Sequence, residues 1–451
     1  MNLANIWKTW KGHAGFGCLA FDSLPAWQRR LFKLDLSPSA LDKPYLPAGG
    51  ILTAREKAGY FCRIMDLVYY DDCRPYATLP DGRWIPHGPP DDLGQASATS
   101  GGSMSPLVSA GIIEMLMNRM IRAVQSNDWE EAIRHGGALG HYVQEPFTPA
   151  HAVNNDEIQK LFPDPVAGRH VRLHHFFDCG SISFEPARPV LMGTTVAEAA
   201  FRIQVEIDRG IILAKSLVGP VVRLVYTCKS AIQLKSEKIL AGQSRSATWL
   251  TACAWYTAIC IARRRFRRQE VEKLAKISLA DMTPYFWHHC QYCDLLPGAL
   301  VKDKVKIPMH VCGSHRGRAA RDELVREGFG MGGHMGCKFF VNGNIYRRFA
   351  CRVGLPSRQR EGQTDKTCVE FRLEVDRKLN RVYSEELKYG GRVLARVTLR
   401  PGIPPIKTVV DISGARTLML ICESKPGRDP SGHIKWEVPH VAVCEPVLFK
   451  T

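Results

Sequence analysis

The stretch DWEEAIRHGGALGHYVQEPFTPAHA, residues 128–152, decides the fold of the first half of the chain. Its apolar residues recur at helical spacing as far as position 144, and Pro146 and Pro149 follow. Because proline disrupts a continuing helix, the pattern predicts a helix that ends or bends at this point. His141 and Glu145 are four residues apart, so a helix places this imidazole and this carboxylate on one face.

A second stretch, RLHHFFDCG at 172–180, repeats the arrangement with His174 and Asp178. His151 stands between the two pairs, and the bend at the prolines would let it reach a neighbouring ion. Neutral imidazole nitrogen combined with carboxylate oxygen is a donor set that suits zinc. One such pair is more often a surface contact without function. Two pairs and a third histidine within about 40 residues favour a metal site.

The composition indicates a globular protein, because 45% of its 451 residues are hydrophobic and 23% are charged. This length is enough for two or three domains. The net charge of +17 favours an anionic partner such as nucleic acid, lipid headgroups or acidic glycans, although a basic protein without such a partner stays open. The 15 cysteines are scattered, so no disulfide can be assigned.

Two segments bear on membrane or export signals. The N-terminal residues MNLANIWKTWKGHAGFG contain no apolar core and do not indicate a secretory signal. The longest apolar run, TWLTACAWYTAICIA at 248–262, is shorter than the roughly 20 residues that span a bilayer. We therefore predict a buried helix for this run and no transmembrane segment.

The character of the chain changes between residues 271 and 280. Before this point the apolar residues follow helical spacing over 108–125, 128–144, 196–218 and 247–275. From about 330 onward short alternating runs are separated by Gly, Pro, Asn and Asp, which is typical of antiparallel strands. We expect an all-α domain over 1–270 and an all-β sandwich, jelly-roll-like, over 276–451.

Three more potential ligands, His13, Asp66 and His87, precede the two pairs. In this order, and with the motifs at 139–152 and 173–180, residues 7–265 resemble the zinc-dependent phospholipases C and the related fungal single-strand-specific nucleases. The resemblance implies an all-helical fold that holds three zinc ions in a cleft. It also implies a secreted or cell-envelope location, which the N-terminal residues do not indicate.

The resemblance implies a ligand set for each ion. One zinc would be bound by Asp66, His87, His141 and Glu145, and a second by His151, His174 and Asp178. A third would be bound by His13 and would share Glu145. Asp72 is an alternative to Asp66.

Two features depart from the family. Its third site also uses an N-terminal Trp, whereas Trp7 and Trp10 are not terminal in this sequence. Glu145 stands where the family has Asp. The zinc ions would neutralise a phosphodiester and lower the pKa of a water, with Asp66 near the water as general base and Glu145 bridging two ions. We expect two to three zinc ions per chain.

The second half also resembles a known module. The pattern around Gly328, Gly330, His334, Phe349 and Gly354, and a later VDISGARTLML at 410–420, resemble the NPCBM module over about 276–446. This resemblance implies a β-sandwich that binds carbohydrate. A rival interpretation is a zinc ribbon, because the spacing Cys290-x2-Cys293 with Cys312-x2-His315 is typical of one.

The sequence therefore supports three hypotheses. The first is a phospholipase C-type zinc hydrolase with an appended glycan-binding module. The second is a single-strand nuclease on the same metals, because the metals polarise any phosphodiester. The third is a metal-stabilised carbohydrate-binding protein that has lost catalysis, which the altered residue at 145 and the non-terminal tryptophans favour. A basic cluster at 263–268, beside the apolar run, suits either a lipid surface or a nucleic-acid backbone.

Overall fold

A computed structural model describes most of the chain. The described residues are 12–32, 53–67, 71, 73–85, 106–149, 184–185, 187–227, 232–284, 286–288, 299–302, 305–312, 322–332, 334–357, 367–376, 391–424, 427–428, 434–435 and 440–450. The chain divides into two compact units, Met1–Glu272 and Lys273–Thr451. The described part of the first unit is mainly helical, and that of the second consists mainly of antiparallel strands, so the expected order of a helical half and a β half is confirmed.

The helical unit is built from helices of very different length. Within the described residues its α-helices are α1 Gly12–Ser23, α2 Ala26–Arg29, α3 Ala54–Phe61, α4 Pro106–Gln125, α5 Trp129–Gln144, α6 Val196–Thr227, α7 Ile232–Ile239, α8 Ala241–Ala262 and α9 Arg268–Lys273. Single 3₁₀ turns occupy Arg30–Phe32, Ile64–Leu67, Arg74–Tyr76 and Glu145–Phe147.

Helix α8 lies at the centre of this unit. It contacts α1, α4, α5 and α6, and all residues from Leu250 to Cys260 are buried. A helix that is apolar on all sides belongs in a core, which is why the apolar run at 248–262 forms a buried helix as predicted. The indole Nε1 of Trp255 donates a hydrogen bond to the Gly136 carbonyl at 2.6 Å, so the largest core side chain also anchors α5.

Small residues let α5 approach its neighbours closely. A Cβ on Gly137 would lie 2.3 Å from the Phe61 carbonyl carbon at the end of α3, a distance that no real side chain tolerates. A Cβ on Gly17 in α1 would lie 2.7 Å from the Cys62 sulfur. These contacts bring α1, α3 and α5 together around Cys62. Asp128 caps α5 by accepting a hydrogen bond from the Glu131 N–H at 3.0 Å.

Helix α6 is long and apolar enough to cross a membrane, as judged by length and composition. One third of its most apolar window, 33%, is buried. A single helix of this kind is weak evidence for a membrane span, because core helices of soluble proteins have the same composition.

The described part of the second unit contains two five-stranded antiparallel sheets and three two-stranded ones. The strands are β1 Lys276–Ser278, β2 Phe286–His288, β3 Ala299–Lys302, β4 Val305–Pro308, β5 His310–Cys312, β6 Asp322–Leu324, β7 Gly328–Gly332, β8 His334–Phe340, β9 Arg348–Gly354, β10 Val369–Val375, β11 Arg392–Leu399, β12 Ile406–Asp411, β13 Thr417–Ser424, β14 Gly427–Arg428, β15 Ile434–Lys435 and β16 His440–Phe449. One large sheet has the order β1-β16-β9-β12 with β7 also paired to β16, and the other has the order β11-β10-β13-β8-β2.

Aromatic side chains fill the space between the two large sheets. Phe329 of β7 in one sheet contacts Phe339 of β8 in the other, with ring centroids 5.9 Å apart. Phe349 on β9 and Phe371 on β10 are fully buried. Tyr346 is also fully buried, so it belongs to the core. The two antiparallel sheets thus share an apolar core, and we refer to them together as the sandwich.

Candidate metal centre

Three side chains of the helical unit converge on one point. His13 Nε2 lies 3.2 Å from Glu145 Oε1, and His141 Nε2 lies 2.9 Å from the same oxygen. The two imidazole rings are 4.4 Å apart between centroids. The side chains of His141 and Glu145 are 0% and 2% exposed, whereas that of His13 is 13% exposed. The cluster is therefore buried, and solvent reaches it along His13.

The end of α5 produces the pairing of His141 with Glu145. The helix ends at Gln144, and Pro146 then occupies a 3₁₀ turn that begins at Glu145. Glu145 still has helical backbone angles, φ −49° and ψ −47°, so its side chain continues the helix face that carries His141. The histidine from α1 joins them because α1 packs against α3 and α5.

A backbone carbonyl fixes the ring of His141. Its Nδ1 lies 2.7 Å from the carbonyl oxygen of Cys62, which only accepts hydrogen bonds. Nδ1 therefore carries the proton in the neutral ring, and Nε2 presents a lone pair toward Glu145. A histidine held in this way by its second nitrogen is the usual arrangement at metal sites.

A longer chain of hydrogen bonds fixes His13. The hydroxyl of Thr251 on α8 donates to the Ala247 carbonyl at 2.9 Å, so its oxygen accepts from the side-chain amide of Gln144 at 3.2 Å. The carbonyl oxygen Oε1 of Gln144 consequently faces His13 Nδ1, at 2.9 Å. The neutral ring must donate from Nδ1, which leaves Nε2 as the lone-pair nitrogen here too.

Electrostatics keep Glu145 ionised. Burial alone would raise the pKa of this carboxyl group, but without a metal the protonated rings of His13 and His141 outweigh burial through their charges and their Nε2–H hydrogen bonds, and hold its pKa well below the usual range; a cation bound here would take the place of these two protons. A buried carboxylate between two imidazole nitrogens is the charge pattern that a divalent cation complements.

The donor set fits zinc. The possible ligand atoms of His13, His141 and Glu145 all lie within 4.8 Å of one another. Tetrahedral zinc with bonds of about 2.1 Å holds its ligand atoms roughly 3.4 Å apart, so small side-chain shifts would accommodate the ion. Three protein ligands with a fourth position open are typical of catalytic zinc.

The other predicted site residues are placed as follows. Asp66 lies in the 3₁₀ turn Ile64–Leu67, which starts two residues after Cys62, but its side chain is not described. The remaining predicted residues lie outside the described residues: His87, His151, His174, Asp178 and the alternative Asp72. Asp71 is 90% exposed and lies 3.3 Å from Arg74, so it takes no part in the described cluster.

Sequence reasoning missed the residues that orient the histidines. Gln144 and Thr251 are buried, with 1% and 0% exposure. Neither carries a ligand-type side chain, and Cys62 acts through its backbone carbonyl. In the sequence, the one signal for Gln144 was its place directly before Glu145, on the predicted helix that carries His141.

The basic cluster at 263–268 is partly occupied by packing. The guanidinium of Arg263 lies 5.1 Å from the Trp129 ring centroid and donates to Asn127 Oδ1 at 2.6 Å. The guanidinium of Arg265 lies 4.4 Å from the Trp27 ring centroid. These stacked arginines stabilise the helical unit and have less freedom to meet an anionic surface.

In the β unit, one motif residue has a clear backbone role. Gly328 has φ +143°, and a Cβ there would lie 2.1 Å from the Val443 carbonyl oxygen on β16. Cys312 of the alternative zinc ribbon lies on β5, and its proposed companions Cys290, Cys293 and His315 lie outside the described residues.

Comparisons with known proteins give distant likenesses. No protein-family model and no curated protein sequence matches the chain. Among solved structures, CBM51 from Clostridium perfringens GH95 in complex with methyl-galactose is 15% identical, with 38% of this chain and 99% of that chain covered and a TM-score of 0.28. The M60 catalytic domain with the CBM51-1 and CBM51-2 domains from Clostridium perfringens ZmpB is 14% identical, at a TM-score of 0.28. That match covers 39% of this chain and only 15% of that one.

Alpha toxin from Clostridium absonum matches over both units, with 98% of this chain and 94% of that chain covered. It is 10% identical, and the TM-score is 0.28. At such values the activity of this chain has to be argued from its own residues.

Proposed function

We propose that the helical unit is a zinc-dependent hydrolase of phosphodiester bonds, of the phospholipase C type, and that the β unit is a glycan-binding module. The observation that carries the proposal is the convergence of His13 Nε2, His141 Nε2 and Glu145 Oε1 in a buried site. Both imidazoles are oriented by hydrogen bonds at Nδ1, so that Nε2 of each ring faces one carboxylate oxygen and would offer its lone pair to a bound cation.

A bound zinc ion would supply Lewis-acid polarisation of a phosphate oxygen and a lowered pKa for an attacking water. The protein residues supply the rest. Glu145 provides negative charge, and the two histidines provide neutral nitrogen ligands that need no reorientation. Burial of His141 and Glu145 excludes bulk water, which strengthens their electrostatic interaction with a cation. Substrate would approach along the partly exposed His13.

The remaining ligands stay part of the proposal. We propose that His13, His141 and Glu145 share one ion, whereas the resemblance assigned the two histidines to separate ions, and that Asp66, as general base, and His87 lie beside its open position. We propose that a second ion is bound by His151, His174 and Asp178, which gives two to three zinc ions per chain. The position of Asp66 just after Cys62, whose carbonyl orients His141, supports its share in the first site.

We prefer a lipid substrate because helix α6 carries an apolar stretch of which 33% is buried, with Ile212 on this helix 41% exposed. Exposed apolar side chains on the unit that holds the metal centre would suit an enzyme that works at a lipid interface. The net charge of +17 fits either an anionic membrane or a nucleic-acid backbone and does not decide between them.

The test is a hydrolysis assay on the full chain loaded with zinc. We expect phosphatidylcholine vesicles to release diacylglycerol and single-stranded DNA to stay intact. Glu145→Gln should abolish the lipid activity, whereas the matched control Glu206→Gln, which removes a surface carboxylate paired with Arg209, should preserve it. Rapid DNA digestion with intact lipid would transfer the assignment to the nuclease. Zinc binding without hydrolysis of either substrate would support the non-catalytic binding protein.

The glycan-binding role is proposed from the architecture of the β unit. The two-sheet sandwich supports it, and the NPCBM-like residues Gly328 and Phe349 are explained by a close strand contact and the core rather than by sugar contact. The test is a glycan array probed with the full chain. Binding that residues 273–451 alone reproduce would support the module, and binding that requires the helical unit would contradict it.

A further inference from the structure

A second concave site lies on the helical unit, away from the metal centre. It is a surface depression of about 650 Å³ between the second half of α4, the first half of α5 and the turn Arg74–Tyr76. Its lining residues are Pro75, Arg119, Arg122, Ala123, Ser126, Asp128, Glu131 and His135. This volume is within the usual range for small-molecule sites, roughly 300–1,000 Å³.

The depression is separate from the metal centre. His135 lies six residues before His141 on α5, which corresponds to about 9 Å along the helix axis and a different face. A ligand in the depression would therefore contact His135 and not His141, whereas a metal ion in the cluster would contact His141 and not His135.

Two arginines give the depression its positive charge. Arg119 and Arg122 are three residues apart on α4 and so lie on one face. The guanidinium of Arg119 donates to the backbone carbonyls of Thr78 at 2.8 Å and Pro75 at 3.4 Å. That of Arg122 donates to the Asn118 carbonyl of its own helix at 3.4 Å. Within the described part of the chain, no carboxylate lies within ion-pair distance of either arginine.

The two acidic residues of the lining are already engaged. Glu131 Oε1 accepts a hydrogen bond from the Tyr76 hydroxyl at 2.5 Å, and Oε2 lies 3.3 Å from His135 Nε2. Asp128 caps α5 through the Glu131 N–H. Because these carboxylates serve the fold, they do not neutralise the arginines directly.

The positive charge of the two arginines contributes to the pKa values of the groups beside them. Burial and the charge of Arg122 lower the pKa of Arg119. Burial, and then the charges of Arg119 and Arg122, lower the pKa of His135 to about 4, although Asp128 opposes this. An anion bound between the two arginines would offset the part of both shifts that comes from their charges and not the larger part that comes from burial.

We propose that this depression binds a phosphate group, with Arg119 and Arg122 as its ligands. Guanidinium groups donate paired N–H bonds in a geometry that matches phosphate oxygens. Arg119 has five N–H donors and uses two of them on carbonyls, so three remain. A doubly charged phosphomonoester compensates two guanidiniums, whereas a carboxylate compensates one.

The experiment titrates the zinc-loaded full chain with inorganic phosphate while NMR follows ¹³C-labelled histidines, with His135 assigned through His135→Gln. We expect saturable shifts of the His135 signal and a rise in its pKa, because the bound anion offsets the arginines. Arg122→Gln should weaken phosphate binding, so that the dissociation constant rises at least tenfold. The Arg122 side chain is exposed, and among the described residues its hydrogen bond is to the Asn118 carbonyl of its own helix, so the fold should persist.

Two controls isolate the site. Arg83→Gln, which removes an exposed arginine paired with Asp81, should leave phosphate affinity unchanged. Glu145→Gln should remove zinc and leave the His135 response intact, which separates this site from phosphate at the metal centre. Equal affinity in the wild type and Arg122→Gln, or a His135 signal that ignores phosphate, would overturn the proposal.

A competition arm distinguishes the source of the phosphate. Phosphatidylcholine vesicles that contain phosphatidic acid should compete with inorganic phosphate at His135 if the natural ligand is a lipid headgroup. Vesicles that do not compete, together with competition by glycerol phosphate, would identify a soluble phosphomonoester.

Discussion

The cores of the two units are built from different residues. The helical unit buries a chain of polar groups, among them His141, Gln144, Glu145 and Thr251, at the point where α1, α3, α5 and α8 meet. The sandwich core contains Phe329, Phe339, Phe349 and Phe371. Within the described residues, the single group of three potential metal ligands belongs to the helical unit.

This difference teaches where the chemistry lies. Buried polar groups cost stability unless every one is hydrogen-bonded, so a connected set in a core points to function. The aromatic core of the sandwich needs no such explanation, since its burial stabilises the fold directly, although Lys338 and Glu374 are also buried in that unit. The helical unit is therefore the place to seek catalysis, and the sandwich the place to seek a binding surface.

The largest expected effect is at Glu145. Glu145→Ala removes the carboxylate that both imidazoles face, so it should remove the metal and reduce hydrolysis to background. Glu145→Asp keeps a carboxylate and should preserve or raise activity. Metal content and vesicle hydrolysis measure both variants. Equal activity of the wild type and the two variants would show that Glu145 is only a structural partner of the histidines.

The sandwich should respond to mutation in the opposite way. Phe371→Ala creates a cavity in a fully buried site, and we expect a loss of about 3–5 kcal/mol in the unfolding free energy of that unit. Zinc content and hydrolysis should not change, since the metal ligands belong to the other unit. Calorimetry and elemental analysis on the same sample test this. Loss of zinc in Phe371→Ala would contradict the division of roles.

A smaller, pH-dependent effect is expected at Asp208 on α6. Burial raises the pKa of this carboxyl to about 8, although a hydrogen bond from Gln204 lowers it in part. The folded state therefore binds a proton that the unfolded state has lost, so its stability falls as pH rises from about 4 to 8. Asp208→Asn removes this loss and should stabilise the protein by about 3 kcal/mol more at pH 8 than at pH 5.

The measurement is denaturant unfolding of both proteins at each pH. Asp71→Asn, at an exposed aspartate, is the matched control and should show a much smaller pH-dependent gain. A gain for Asp208→Asn that does not depend on pH would show that the carboxyl is already ionised in the folded protein.

The smallest effect should be at Gln144. Gln144→Leu removes the acceptor for His13 Nδ1, and loss of such an orienting bond typically lowers metal affinity 10- to 100-fold, about 1.4–2.7 kcal/mol. Competition with a zinc chelator measures the affinity. Gln243→Leu on α8 removes a buried amide that takes no part in the cluster and should leave affinity unchanged. Equal affinity in the wild type and Gln144→Leu would show that the tautomer of His13 is set in another way.

Much of the fold followed from local pattern, and part of the site did not. Helical spacing predicted α4, α5 and α8, and proline predicted the end of α5 near Gln144. The meeting of His13 with His141 depends on the close approach of α1, α3 and α5 at small residues such as Gly17 and Gly137, which only the tertiary structure shows. His13 was named through a family resemblance, and spacing alone would not have paired residues 128 positions apart.

Other parts of the site were beyond any sequence pattern. Cys62 takes part through its backbone carbonyl, a group that every residue has. Gln144 takes part because its side-chain oxygen accepts a hydrogen bond from Nδ1 of His13. Arg119 and Arg122 belong to an ordinary amphipathic helix in the sequence. Their lack of a carboxylate partner within the described ranges becomes apparent only when their neighbours are known in space.

The central claim is that His13, His141 and Glu145 hold zinc. The most direct test is a crystal of the zinc-loaded full chain, with an anomalous difference map collected at the zinc edge. We predict a peak about 2.0–2.2 Å from His13 Nε2, His141 Nε2 and a Glu145 carboxylate oxygen. A map with zinc bound elsewhere and no peak among these three side chains would contradict the account.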